Sequence, residues 1–223
     1  MNAPFTADQL HALPRVLSGP RFARYLQQAG NDRTQALELY RWNMAVSAAF
    51  AVPLHLLEIS FRNGAVEGIE AVHGSAWPWT QGFLITLPNP RDRYKFNPRR
   101  ELEKCARRHQ TVGKVVADLK FAFWERLMLT SQHPIIWAYH FDACFPGSLV
   151  SAASSTDRRE RLRRNVEKMR TFRNRVAHHE PIFSRNLQED FDRIIEIVEW
   201  RCPVTAEWLK EIEAVTPLLR CYP

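Results

Sequence analysis

Apolar side chains recur every three or four positions along most of the 223-residue chain, the spacing that places them on one face of an α-helix. The fourteen prolines lie mostly between these periodic segments, and only eight glycines are present. This pattern predicts an all-α fold. With 45% hydrophobic residues the chain can fill one substantial core, so we predict a single domain over residues 1–223.

The N-terminal third is predicted to be a series of helices. Residues 1–30 hold two short N-terminal helices. A third helix is capped by Asn31 or Asp32, because both side chains can accept a hydrogen bond from the first free backbone N–H groups. Pro53 is expected to kink or restart this helix, and the periodic pattern then continues to about Val72.

Residues 74–98 are rich in Pro, Gly, Asn and Trp, and we predict a long ordered loop there. A charged helix is expected from Pro98 to Arg108. The residues 158–200 form a predicted helix pair, whose basic first helix starts after Asp157 as its cap and runs from Arg158 to Ala177.

The net charge of +7 is concentrated in two basic stripes. Residues 158–175 hold nine Lys and Arg against two Glu, and residues 91–108 hold eight against three acidic residues. Such concentration favours a polyanionic partner, with RNA or DNA the commonest. The alternative is that both stripes are solvated helix faces.

Cysteine spacing and hydropathy restrict the possible cofactors and the cell compartment of the protein. The four cysteines show no CxxC pair and no zinc-ligand spacing with histidine, so we expect reduced thiols, no metal and no cofactor. The N-terminal residues lack the features of a signal peptide. The most apolar stretch, Ala45–Leu57, is interrupted by Pro53 and is too short to cross a bilayer. We predict a cytoplasmic protein without a membrane segment.

The basic helix ends in Arg-Asn-Arg-Val-Ala-His-His-Glu-Pro, residues 173–181. Arginine can clamp a phosphate and histidine can move a proton near neutral pH, so the string combines groups suited to phosphodiester chemistry. On a helical wheel Arg173 falls inside the apolar stripe and must be paired, lie at an interface or line a cleft. For four other arginines the alternative of a solvated helix face remains: Arg158, Arg159, Arg163 and Arg164.

His178 lies about 140° from Arg173 on the same wheel, so the two side chains share no face of a straight helix. Their convergence requires the helix to fray or turn near Ala177, before Pro181 stops it. The alternative is that His178 and His179 cap the last carbonyl groups of the helix.

Glu58 lies within the apolar stripe of the helix after Pro53, and Arg62 lies at the edge of that stripe. The two residues are i,i+4 neighbours and can form an internal ion pair at the rim of the core. In the alternative interpretation Glu58 orients Arg173 or Arg62 in a polar pocket.

These residues resemble a known family. Residues 173–178 fit the signature of HEPN-domain ribonucleases, an Arg, a polar residue, three further residues and a His. The longer string to Phe183 looks like the bacterial Abi-like (abortive infection) branch of that superfamily. Further similarity lies in Tyr40–Asn43, Leu57–Asn63, Phe121–Trp124 and Phe145–Gly147.

The resemblance implies a HEPN-like helical bundle, here with additional helices and the long loop, and a metal-independent endoribonuclease. Such proteins act as toxins in defence against phage and usually form a homodimer that brings two motifs into one cleft. By this resemblance Arg173 would bind the scissile phosphate, Asn174 would position it, and His178 would serve as general base or acid in attack by the ribose 2′-OH. We expect supporting or RNA-binding roles for Arg175, His179, Glu180, Arg62, Glu58 and Arg170.

Two other functions remain open from the sequence. The chain can be a non-catalytic RNA- or nucleotide-binding module of the same fold. It can also be a regulatory protein whose basic stripes meet an acidic antitoxin or a regulatory RNA.

Overall fold

The computed structural model describes residues 4–223, and residues 1–3 of the predicted N-terminal segment lie outside this range. Over the described residues the chain is helical with no β-strand, which confirms the predicted all-α fold. The α-helices of the first half are α1 Ala7–Val16, α2 Gly19–Gln28, α3 Arg33–Ala49, α4 Ala51–His73, α5 Gln81–Thr86, α6 Pro98–Arg108 and α7 Val112–Asp118. Those of the second half are α8 Phe121–Leu127, α9 Ala138–Cys144, α10 Ser155–Ala177, α11 Leu187–Arg201, α12 Pro203–Ile212 and α13 Val215–Leu219.

Asp32 rather than Asn31 caps α3. Its carboxylate accepts hydrogen bonds from the backbone N–H groups of Thr34 and Gln35, at 2.8 and 3.0 Å. Asn31 has a φ of +69° and closes the turn after α2 instead. Short polar side chains tolerate this left-handed backbone better than most, which explains why both positions carried a cap-like signal.

Helices α3 and α4 meet at Phe50, whose backbone stays helical with φ −66° and ψ −14°. Pro53 lies in the first turn of α4, where its missing N–H costs no internal hydrogen bond. The run Arg33–His73 is long and apolar enough to cross a membrane by length and composition alone, a test that core helices of soluble proteins also pass. In this fold it contributes Val46, Leu57 and Phe61 to the buried core.

The predicted loop over residues 74–98 contains helical structure. A 3₁₀ turn at Trp77–Trp79 and the helix α5 occupy its first half, and only the second half is irregular. Trp77 and Phe83 are fully buried and meet edge to face, with ring centroids 5.3 Å apart. The need to bury these aromatic rings outweighs the local turn-forming composition.

Helix α11 lies at the centre of the second half and packs against α4, α10 and α12. Gly147, in the 3₁₀ turn before α10, lies so close to α11 that an added Cβ would sit 2.1 Å from the carbonyl oxygen of Glu199. This close approach fixes the connection that leads into α10. The predicted helix pair ends at residue 200, and α11 ends one residue later, at Arg201.

Helix α10 begins three residues earlier than predicted. Ser154, not Asp157, is its N-cap, and the Ser154 hydroxyl accepts a hydrogen bond from the backbone N–H of Asp157 at 3.1 Å. Asp157 stands in the first turn, where a carboxylate favours the positive end of the helix dipole. The helix then runs unbroken to Ala177, so its C-terminal end places the candidate motif at the surface.

Candidate functional site

The end of α10 is a tight left-handed turn. His179 has a φ of +56°, and its backbone N–H donates to the carbonyl of Val176 at 3.1 Å. The N–H of Glu180 donates to the carbonyl of Arg175 at 2.8 Å, which completes a Schellman motif. The helix therefore ends through its own backbone before Pro181 is reached, and not by fraying. The histidine side chains are not needed as caps.

Arg173 lies opposite Glu58 of α4. Its Nε is 3.5 Å from Glu58 Oε2, and 44% of its side chain is exposed. The expectation that Arg173 is paired or lines a cleft is thus met by an ion pair that solvent still reaches. Because the pair is long and exposed, its contribution to stability is small and an incoming anion can compete for the guanidinium.

Arg62 does not take part in this pair. No ion pair joins it to Glu58 among residues 4–223, so the i,i+4 pairing expected for these two residues is wrong. The Nε of Arg62 is buried without a hydrogen-bond partner in that range. Glu58 points across to α10 instead, because Arg173 offers a cation on the facing helix.

A cavity of about 370 Å³ opens between α4, the α7–α8 connection and α10. We call it the motif cavity. It is lined by both residues of the Glu58–Arg173 pair and by the next residue of the motif, Asn174. Its other polar lining residues are Asp118, Lys120 and Arg170. Three cations and two carboxylates face this space, a set suited to holding a phosphate against a network of hydrogen bonds.

Arg170 forms an ion pair with a buried carboxylate. Its Nε donates to Glu125 Oε2, and Glu125 is 1% exposed. A buried carboxylate needs such a partner, since an unpaired charge in the core is costly. The pair anchors α8 to α10 and fixes the wall of the motif cavity.

Two further residues of the motif cavity, Asp118 and Lys120, lie at the short junction between α7 and α8. Asp118 Oδ2 is 3.1 Å from His109 Nε2. The hydrogen bond from His109 is the main cause of the lowered pKa of Asp118, with a second from the Cys105 thiol. Lys120 Nζ is 3.7 Å from Glu101 and 64% exposed. Neither residue belongs to a motif, so only the packing of α7 and α8 on α10 reveals them.

Arg175 and Glu180 form a separate pair. Arg175 Nε is 3.2 Å from Glu180 Oε2, across the turn that ends α10. Neither residue lines the motif cavity. Their contact braces the turn, and both side chains keep part of their surface in solvent.

The two histidines diverge. His178 is exposed at the C-cap with φ −94°, and it lines neither the motif cavity nor the groove on the other side of the helix end. His179 lines that groove, which has a volume of about 530 Å³ and lies between α2, α3 and the end of α10. One chain thus brings Glu58, Arg170, Arg173 and Asn174 together and leaves His178 outside their cavity.

The basic stripe of residues 158–175 is largely neutralised by the fold. Arg158 and Arg159 are buried, at 6% and 2% exposure, which corrects the expectation that they face solvent. Arg158 donates to Asp142 at 2.8 Å, and Arg159 donates to the carbonyl of Met128. Further acidic partners hold Arg161, Arg163, Arg170, Arg173 and Arg175. Only Arg164 and Lys168 of this stripe have none in the described part of the chain.

No group of three or more His, Cys, Asp or Glu side chains with metal-binding geometry occurs within residues 4–223. The polar groups that line the motif cavity are guanidinium, ammonium, amide and carboxylate groups.

No protein family, curated protein or solved structure matches this chain significantly. The similarity to HEPN-domain ribonucleases rests on the motif residues and flanking segments described above, and it stays a prediction.

Proposed function

We propose that the protein is a metal-independent endoribonuclease with its active centre at the end of α10. The observation that carries the proposal is the shared position of Arg173 and Asn174 on one open, cation-rich cavity. The Arg173 guanidinium is held only by an exposed 3.5 Å ion pair, so a phosphate can take the place of Glu58.

The reaction needs proton transfer and charge stabilisation alone. A ribose 2′-oxygen attacks the neighbouring phosphorus and forms a new P–O bond, while the bond to the 5′-oxygen breaks. The proton leaves the 2′-OH to a general base, and a proton reaches the departing 5′-oxygen from a general acid. Arg173 stabilises the charge that develops on the phosphoryl oxygens, and Asn174 orients them.

His178 is the proposed proton carrier. Its exposed position at the helix C-terminus leaves both ring nitrogens open to substrate. Within one chain His178 lies outside the motif cavity. In a homodimer the helix end of a second chain approaches the first, so that His178 of one chain reaches the motif cavity of the other. Arg170 and Glu58 then position Arg173, and Arg175, His179 and Glu180 shape the turn that carries His178.

The biological setting follows from the resemblance alone. We propose a cytoplasmic toxin of abortive infection that cleaves RNA during phage attack and is restrained by an antitoxin or a regulatory RNA.

One observation favours a second candidate function. Because His178 and Arg173 do not share a cavity within one chain, the same residues also suit a module that binds RNA or a nucleotide without cleaving it. In that case Arg173 holds the phosphate and no proton is transferred.

Incubation of purified protein with total RNA in the presence of EDTA separates these functions. We expect wild type to cleave and both His178→Ala and Arg173→Ala to lose cleavage. Lys168→Ala is the matched control, because Lys168 is an exposed cation of the same helix outside the motif cavity. RNA binding without cleavage in wild type, unchanged in His178→Ala, would support the binding module and exclude the ribonuclease.

A further inference from the structure

The groove on the other side of the helix end has the features of a ligand site. We call it the tyrosine groove, after Tyr25 of α2 and Tyr40 of α3, whose rings lie 4.7 Å apart. Its apolar floor is formed by Met44, Ala48 and Ala51, all exposed to solvent. A concave, mostly apolar space of about 530 Å³ with a few convergent polar groups is typical of sites for small organic ligands.

Asn43 supplies the first unused polar group. Asn43 is 5% exposed and lines the groove, and its Oδ1 accepts the backbone N–H of Ile182 at 2.8 Å. Because that N–H requires an oxygen, the orientation of the amide is fixed and Nδ2 is the atom left over. Nδ2 makes no hydrogen bond to residues 4–223 and keeps some exposed surface, so the amide can donate to a ligand at the groove wall.

Tyr25 supplies the second unused polar group of the groove. Its side chain is 1% exposed and lines the groove, yet its hydroxyl makes no hydrogen bond to any residue from 4 to 223. Burial raises the pKa of Tyr25 above its usual range, and the neighbouring Tyr40 raises it further. The hydroxyl therefore stays protonated and can donate. The hydroxyl oxygen keeps some exposure to the groove, where it can donate to a ligand acceptor.

Arg21 and His179 complete the rim. Arg21 is exposed and has no acidic partner within the described part of the chain. His179 projects from the left-handed turn that ends α10. The groove thus combines aromatic and aliphatic faces with an excess of donors and positive charge. This composition suits a flat heterocycle that carries carbonyl acceptors and is joined to a phosphate.

We infer that the tyrosine groove binds a keto nucleobase, guanine or uracil, of the RNA strand whose phosphate occupies the motif cavity. Guanine presents O6 and N7 and uracil presents a carbonyl oxygen to the donors of Tyr25, Asn43 and Arg21. Adenine and cytosine place an amino donor at the corresponding edge, which would leave these protein donors unpaired.

The position of the groove fits this role. Val176 and His179 line the tyrosine groove, and Arg173 and Asn174 line the motif cavity. At about 1.5 Å per residue the two sets are separated by roughly 3–9 Å along the helix axis. The two sets also lie on different sides of a helix that is about 10–12 Å across with its side chains, so one strand that wraps around the helix end can place a base in the groove and a phosphate in the cavity.

The inference rests on the proposed function in taking RNA as the ligand, and its test uses RNA that cannot be cleaved. Short 2′-O-methyl oligonucleotides with one variable base in an adenine background are titrated against wild type by fluorescence anisotropy. We expect guanine and uracil to bind about 10-fold more tightly than adenine and cytosine at the variable position. Equal affinity for all four bases overturns the inference.

Two variants locate the preference. Ala48→Trp fills the groove from an exposed helix position and is expected to abolish the base preference, while Ala45→Trp on the same helix, outside the groove, keeps it. Tyr25→Phe removes only the unpartnered hydroxyl and should reduce the preference about 5-fold without loss of stability. A preference that survives Ala48→Trp overturns the inference.

Sedimentation of the same proteins tests the remaining possibility, that a second copy of this chain occupies the groove. If Ala48→Trp converts a dimer to a monomer and wild type shows no base preference, the groove is a subunit interface and the inference is wrong. The ribonuclease proposal is judged separately through His178→Ala. A protein that never cleaves RNA but keeps the base preference refutes the ribonuclease and leaves the base site standing.

Discussion

The two ends of helix α10 use the same residue types for opposite purposes. At its start Arg158 and Arg159 are buried and bonded to oxygen atoms of neighbouring segments. At its end Arg173 is 44% exposed and makes one ion pair at 3.5 Å. The first two arginines hold the fold together, and the last one remains available to a ligand. An arginine-rich helix is therefore not by itself a binding surface, because burial decides which cations a polyanion can reach.

The ends differ in backbone conformation as well. Ser154 caps the start with an ordinary extended backbone, φ −61° and ψ 156°. His179 closes the other end at φ +56°, a region that favours glycine. The start is built for stability, whereas the end keeps a strained histidine beside the candidate site. Strain of this kind is often retained where a side chain is needed for function.

The largest effect expected from this contrast concerns stability. Arg159→Ala removes a fully buried side chain and leaves the carbonyl of Met128 without its donor, so unfolding free energy should fall by about 3 kcal/mol. Urea unfolding followed by tryptophan fluorescence measures the loss. The control, Arg173→Ala, should cost about 0.5 kcal/mol or less, because exposed ion pairs contribute little. Equal losses in the two variants would contradict the contrast between the ends.

A smaller effect of opposite sign is expected at the left-handed turn. His179→Gly relieves the positive φ and should raise the unfolding free energy by about 1 kcal/mol. In the same urea assay His178→Gly should give no gain, since His178 has an ordinary φ of −94°. A destabilised His179→Gly protein would show that the histidine side chain holds the turn.

The smallest effect is a pH dependence near the start of α10. His133 Nε2 is 3.1 Å from the Thr156 hydroxyl, and burial, followed by the charge of Arg159, lowers the pKa of His133. The unfolded chain then binds this proton more readily than the folded one. Stability linked to His133 is thus complete above the unfolded value of about 6.5 and is lost as the pH falls through the lowered folded value.

Thermal unfolding of wild type and His133→Gln between pH 8 and pH 5 tests this dependence. The difference in Tm between the two proteins should change as the pH falls, with wild type losing more. Parallel pH profiles would count against a His133 that stays neutral in the folded protein.

Much of the fold could be predicted because helical periodicity is a local signal. The bounds of α6 and the end of α11 agree with the pattern to within one residue. The structure of residues 77–86 is harder to predict from the sequence, because Pro, Gly and Thr favour turns locally while Trp77 and Phe83 are buried in the core. Burial against residues distant in sequence determines the structure of this segment, and a window of neighbouring residues does not contain that information.

Part of the candidate site could also be predicted, because helical periodicity shows which face of a helix a residue lies on. A helical wheel places the charge of Arg173 on the apolar face of its helix, and it does the same for Glu58, the partner of Arg173. A solvated face is the wrong interpretation for Arg158 and Arg159, because Asp142 of α9 and the carbonyl of Met128 lie on that side of α10 and accept their hydrogen bonds. Asp118 and Lys120 reach the cavity only through three-dimensional packing, and a sequence pattern has no access to it.

The hydrogen bond between Asn43 and the backbone of Ile182 has a consequence for the order of events during folding. It joins positions 139 residues apart, so the segment that follows the candidate motif acquires its final place only after α3 has docked. Synthesis must pass Ile182 before that contact exists, by which time most of the core helices are already available. The candidate site at the end of α10 is therefore completed late, after most of the chain has been made.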